Sequence, residues 1–171
     1  LAPYDTLRTV FDAVVDSSWS LGTHTLVNTV SIASPDDSIT GDNLASAQLF
    51  IAAYPDLAVK ALPPDTAAAP LTEIPIGVMV YNTGDADLKQ TVRISLYADS
   101  LSDAPLLSQN LQTLARGDSA LLTFSWPGRP SGSYDFWAVA DDEQVLPEKD
   151  ETNNADSGSF DVGFPDLVMR C

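Results

Sequence analysis

One short stretch comes back. Tyr54-Pro55-Asp56-Leu57 returns as Phe164-Pro165-Asp166-Leu167 at a spacing of 110 residues. Recurrence at a fixed offset is the signature of tandem modules and constrains the fold before any local pattern does. Other pairs keep the offset: Gly22 with Gly132, His24 with Tyr134, Asn43 with Asn153 and Phe50 with Phe160. With a shift of three residues, Leu1-Ala2-Pro3-Tyr4-Asp5 lies over Leu114-Ala115-Arg116-Gly117-Asp118, and Phe11 over Phe124. The spacing divides the chain into three pieces. Residues 1–54 are expected to be the C-terminal half of a preceding repeat, 55–163 a complete repeat, and 164–171 the first strand of a following one. A module of about 110 residues is large enough to bury its own core.

The complete repeat alternates like strands. Ile74, Ile76, Val78 and Val80 face one way, against Pro75, Gly77, Met79 and Tyr81. Val92, Ile94 and Leu96 follow with the same period, then Ala120, Leu122, Phe124 and Trp126, then Tyr134, Phe136 and Ala138 opposite Asp135, Trp137 and Val139. Period-2 alternation bounded by Asp, Asn, Gly and Pro marks half-buried strands. Seven strands are expected, over residues 56–62, 74–81, 92–96, 106–111, 119–126, 133–140 and 158–162. Pro63-Pro64 ends the first, because proline cannot donate to a ladder. Asn82-Thr83-Gly84-Asp85 reads as a turn in which Gly84 is free to take positive φ. Residues 7–15, 23–32 and 47–53 read as three strands of the first piece. Helix signals are nearly absent. The pattern predicts an all-β fold, an antiparallel two-sheet sandwich of the immunoglobulin or fibronectin-III kind. Ile76, Val78, Val80, Ile94, Leu96, Leu122, Phe124 and Phe136 are its expected core.

Charge removes some partners. Twenty-four acidic residues against eight basic ones leave a formal net charge of −16. Nucleic-acid backbones and anionic membrane surfaces would be repelled. No apolar run approaches the ~20 residues of a membrane-spanning helix, so neither nucleic acid nor membrane insertion is expected. The acid excess suits solubility in a salty or calcium-rich exterior, or specific cation sites.

The densest oxygen cluster lies between the last two strands, from Asp141-Asp142-Glu143 to Asp150-Glu151-Thr152-Asn153-Asn154. Calcium takes six to eight hard oxygens from such side chains. Asp141, Asp142, Glu148, Glu151 and Asn153 form a candidate calcium site, although their spacing matches no EF-hand. The other reading is a solvated loop whose asparagines bond the local backbone. No other cofactor is expected. His24 is the only histidine and corresponds to Tyr134, so it reads as packing; one His and one Cys support neither a catalytic triad nor a zinc site. Trp19, Trp126, Trp137 and Tyr134 could form an aromatic platform for sugar, but two of the tryptophans sit in strand patterns and read as core, with Trp137 left as the opening for a glycan face. Cys171 corresponds to Ala61 and is expected to point inward as a small apolar residue, the alternative being an intermolecular bridge.

Taken together, Pro55-Asp56-Leu57, Val80-Tyr81-Asn82-Thr83-Gly84, Leu114 with Gly117-Asp118 before Phe124-Ser125-Trp126, Gly132-Ser133-Tyr134 and the loop with Glu148, Glu151, Asn153 and Asn154 resemble the CARDB family, the cell-adhesion-related domain of bacterial and archaeal surface proteins. The first piece departs from that pattern, with Asp42-Asn43 and no glutamates in its loop. The resemblance implies an immunoglobulin-like or fibronectin-like sandwich, tandem arrangement on an extracellular or cell-surface protein, and no catalytic activity. The expected function is a stalk, adhesion spacer or filament building block, with adjacent repeats or neighbouring subunits as partners by strand completion. A glycan- or peptide-binding accessory module of an extracellular enzyme is the alternative.

Overall fold

The computed structural model describes residues 8–10, 12, 22–36, 38–65, 67–101 and 104–164. Nine strands run in chain order: β1 (Gly22–Ser31), β2 (Leu44–Ala53), β3 (Leu57–Leu62), β4 (Ile74–Asn82), β5 (Val92–Ala98), β6 (Leu107–Leu111), β7 (Ser119–Trp126), β8 (Gly132–Ala140) and β9 (Ala155–Val162). Among the described residues the only helical element is a 3₁₀ turn, Thr40–Asp42. The all-β expectation holds, and the seven strands of the complete repeat appear within three residues of their expected bounds.

β3 to β9 form two antiparallel sheets, β3-β4-β7 and β6-β5-β8-β9. The alternation explains which faces meet. In β4, Ile74, Ile76, Val78 and Val80 are buried, and each sits opposite an inward residue of β7: Trp126, Phe124, Leu122 and Ala120. The second sheet contributes Val92, Ile94, Leu96, Phe136, Ala138, Ala140, Phe160 and Val162. All eight expected core residues are buried. One end of the sandwich is aromatic. Trp126 meets Phe136 and Phe160 edge-on, with ring centroids 6.0 and 5.5 Å apart, and Tyr134 stacks on Phe160 at 5.8 Å. Such pairs add about 0.5–1.5 kcal/mol each beyond the area they bury. Gly158 makes room here, since a Cβ at that position would lie 2.8 Å from the Phe136 ring.

The opposite end is polar, and there the free edge of β3 is closed. The N–H groups of Leu57, Val59 and Ala61 point away from β4. They are taken by the Glu148 carboxylate, the Asn153 carbonyl (3.2 Å) and Asp156 Oδ2 (2.9 Å). The last loop and the start of β9 thus supply the acceptors a neighbouring strand would offer, which protects an edge from pairing with another chain. Ala68 bonds in turn to the outer edge of β9, through Asp161 and Gly163.

β1 and β2 form a separate antiparallel hairpin sheet. Leu44, Leu49, Phe50, Val27 and Val30 are exposed on it. The strand expected over 7–15 falls mostly outside the described residues; residues 8–10 and 12, which are described, form no strand. Trp19, Cys171 and the second copy of the recurring motif from Pro165 onward also lie outside them.

Candidate functional site at the polar end of the sandwich

The motifs scattered along the sequence meet at this end. Asn82, the last residue of β4, is 1% exposed and makes four side-chain hydrogen bonds. Its Oδ1 accepts from the N–H groups of Asp56 (3.2 Å) and Gly84 (3.1 Å), and its Nδ2 donates to the carbonyls of Ala86 (2.9 Å) and Leu114 (3.0 Å). Asp56 is buried as well, and accepts from Thr83 Oγ1 (2.7 Å) and Asn153 Nδ2 (3.0 Å). Pro55-Asp56-Leu57, Asn82-Thr83-Gly84 and Asn153-Asn154 are therefore parts of one clasp. Gly84 is a correction to the sequence reading, since it is not among the glycines at positive φ. It is glycine because a Cβ would run into the backbone of Tyr54, Pro55 and Asp56.

The acidic loop splits into two groups. In the first, Asp141 (φ +47°) wraps its carboxylate onto its own loop and accepts from the N–H groups of Val145 (3.2 Å) and Leu146 (2.8 Å). Asp142 turns to the outer face of β5. Arg93 grips it with two bonds of 2.7 and 2.9 Å, and Tyr97 donates to it at 2.8 Å. Arg93 also reaches Glu143 at 2.7 Å. Burial alone would raise the Asp142 carboxyl, but the bonds from Arg93, Ser95 and Tyr97 outweigh it and hold it below the ordinary carboxylate value. Burial first, then the bond to Asp142, pushes the Tyr97 hydroxyl up to about 12.

In the second group, Glu148 and Glu151 flank Asn154. Asn154 Nδ2 donates to Glu148 Oε1 (3.0 Å) and Glu151 Oε2 (3.3 Å). The other oxygens are held by backbone: Glu148 Oε2 by the N–H of Leu57, and Glu151 Oε1 by the N–H of Glu148 (3.2 Å). Burial, and then the charges of Glu151 and Asp141, raise the Glu148 carboxyl to about 7 against the pull of the Leu57 N–H. Asn154 is 8% exposed, and its Oδ1 is buried with no hydrogen-bond partner. A cleft of about 280 Å³ opens beside these groups, with Asp141, Glu151, Thr152 and Asn154 among its walls.

The structure thus separates the five candidate calcium ligands. Asp142 is committed to Arg93, Asp141 to its loop, and Asn153 to Asp56; Glu148 and Glu151 stay together. No group of three or more His, Cys, Asp or Glu among the described residues is placed to hold a metal. The sequence reading passed over Arg93, Tyr97 and Asn154 as site residues. Asn154 carried a signal, since it adjoins Asn153 in the quoted loop. Arg93 and Tyr97 carried one only in parity, as odd-numbered residues on the outer face of β5. The aromatic platform does not assemble among the described residues: Trp126 is wholly buried, Tyr134 stacks at the core margin, and Trp137 is half-buried on the opposite face beside Tyr97. His24 lies half-buried in β1, across from Ile51.

This clasp and sandwich can be set beside known proteins. Residues 54–158, more than half of the chain, match the CARDB family. The chain belongs to the CARDB family. The CARDB domain of the PF1109 protein from Pyrococcus furiosus, solved as a crystal structure in complex with di-metal ions, is 24% identical; the match has a TM-score of 0.56 and covers 64% of this chain and 94% of that one. A solution structure of the same CARDB domain matches at 27% identity and a TM-score of 0.53, covering 64% and 95%. A domain from a Methanosarcina acetivorans protein, described as a cell surface protein, matches at 23% identity and a TM-score of 0.54, covering 64% and 92%. No curated protein matches the chain. The clasp of this CARDB domain joins β3, the β4 end and the last loop, all of which lie within the matched residues.

Proposed function

We propose that residues 55–163 are a non-catalytic structural module of an extracellular or cell-surface protein, serving as a stalk, adhesion spacer or filament building block. The observation that carries this reading is the use made of the recurring motif. In its first copy, Asp56 and Leu57 are bonded into the clasp that starts the module, so the copy at 164–167 marks the start of another. Modules in series with few residues between them make a stiff rod. The description of the Methanosarcina relative as a cell surface protein supports the location. The hairpin β1-β2, with Val27, Val30, Leu49 and Phe50 uncovered, belongs to a preceding module. Adjacent repeats or neighbouring subunits complete it by adding strands.

Antibody labelling of the cells that produce the protein tests the location. Signal on intact cells is expected; signal only after permeabilisation would overturn it. A screen of glycans and peptides against the purified chain tests the role. The spacer reading expects no saturable binding, whereas saturable binding lost on Trp137→Ala would favour an accessory binding module.

A further inference from the structure

We propose that the free edge of β7 pairs, antiparallel, with the β7 edge of a second copy of this chain, joining two three-stranded sheets into one of six strands. The contact lies along the side of the sandwich, and it does not depend on where the module works.

The two sheets end in four edge strands, β3, β7, β6 and β9. Three of them are defended. The edge of β3 is filled by Glu148, Asn153 and Asp156. β9 carries Asp156 and Asp161 and holds Ala68 against its outer end. β6 is only five residues long. Short strands, charges and covered backbone are the ordinary ways of keeping an edge from pairing. β7 has none of them. Its eight residues include no charge and no proline, and they pair with β4 without a break from Ser119 to Trp126.

Parity shows which backbone groups of β7 are free. The Asn82 N–H donates to the Asp118 carbonyl at 3.0 Å. Even-numbered residues of β7 therefore bond to β4, and the N–H and C=O groups of Ser119, Leu121, Thr123 and Ser125 point the other way. All four residues are exposed. Among the described residues one hydrogen bond reaches this edge, from Gln109 Nε2 to the Thr123 carbonyl (2.7 Å).

Three observations select a second copy as the partner. The chain carries a net charge of −16, so two copies repel at their acidic surfaces, whereas β7 is an uncharged strip along which they can touch. Ser119, Leu121, Thr123 and Ser125 are also placed symmetrically about Leu122. Antiparallel pairing with Leu122 at the two-fold axis sets Ser119 against Ser125 of the second copy, and Leu121 against its Thr123. Each free residue then meets a free residue, as a self-complementary contact requires. Finally, Leu121 is 59% exposed and lies beside Met79 on the outer face of the sheet. Pairing extends that apolar strip across the junction. Charge begins only at the ends, with Asp118 before the strand and Glu73 at the other end, bonded by Ser125 Oγ at 2.6 Å. The pairing brings each Glu73 near Asp118 of the other copy, so salt should strengthen it. A contact one strand long falls short of the about 800 Å² per partner of a standard interface, so the dimer forms at high concentration.

Sedimentation velocity and residue-resolved amide exchange are followed on the 171-residue chain from about 10 μM to about 1 mM, in about 0.5 M sodium chloride to screen the acids. A reversible monomer–dimer equilibrium is expected. Between the lowest and highest concentrations the amides of Leu121, Thr123 and Ser125 should slow at least about tenfold more than those of Leu122 and Phe124, which already bond to β4. Leu121→Lys changes an exposed side chain, so the sheet should survive, and it should abolish both the dimer and the added protection although it lowers the net charge. Leu49→Lys makes the same change at an equally exposed position of the hairpin and should leave the dimer intact. A monomer throughout the range, protection of the three amides that does not depend on concentration, a dimer that survives Leu121→Lys, or a dimer lost in Leu49→Lys would each overturn the proposal.

Discussion

Asn82 shows how much of the clasp rests on single side chains. Its four bonds satisfy two N–H groups and two carbonyls at a buried chain crossing. Asn82→Ala removes the partner of the Asp56 and Gly84 N–H groups and of the Ala86 carbonyl, whereas the Leu114 carbonyl keeps its bond from the Leu88 N–H. A buried polar group left unpaired costs about 1–3 kcal/mol, so the variant should lose roughly 3 kcal/mol or more in denaturant unfolding, with an unchanged m-value. Asp142 gives a pH-dependent counterpart. Its folded pKa lies below the ordinary 3.8, so the folded state holds that proton more weakly than the unfolded chain. The stability it contributes is present above about pH 4 and is lost as pH falls through the folded value. Arg93→Gln removes the main cause of that depression. The stability gap between wild type and Arg93→Gln should be widest above pH 4 and narrow as the solution becomes more acid. A gap independent of pH would mean that Arg93 acts through packing alone. At this scale the sequence was only partly legible. Asn82 and Asp56 stood out as motif residues, but nothing local to either says that they meet, because the contacts span 26 positions. Gly84 was recognised as necessary for the wrong physical reason, a close backbone approach having been mistaken for a turn conformation.

The strands were the most legible elements, because a period of two imposed by one buried face is written in consecutive residues. β4 and β7 follow it without a break. The β3 edge was not legible, since its protection comes from Glu148, Asn153 and Asp156, more than 85 residues away. Asp156→Ala should expose the Ala61 N–H, now bonded at 2.9 Å, and raise its hydrogen-exchange rate without affecting Val80 or Phe124. Unchanged exchange at Ala61 would show that the edge is closed by other means. The hairpin β1-β2 illustrates what fixes register. In the complete module Phe160 lies across from Tyr134. The 110-residue spacing would place Phe50 across from His24, yet Phe50 faces Thr25 and Ile51 takes the place opposite His24. A shift of one residue sends a side chain to the other face. Among the described residues no second sheet packs on the hairpin, so little there penalises that shift.

For the whole module, the sequence showed the architecture because hydrophobic burial is the dominant favourable contribution to folding and leaves a regular trace. It did not show how the ends are finished. One end closes on the aromatic group of Trp126, Phe136, Phe160 and Tyr134, and the other on hydrogen bonds among residues far apart in the chain. The central claim is that the second end is a structural clasp that locks β3 and the last loop onto the sandwich. Native-state hydrogen exchange on the 171-residue chain tests it most directly. The amides of Leu57, Val59, Ala61, Gly84 and Leu146 should exchange only through the global unfolding that releases Val78 and Ala138. Exchange of those five amides by local opening, at a free energy well below that of the core, would contradict it.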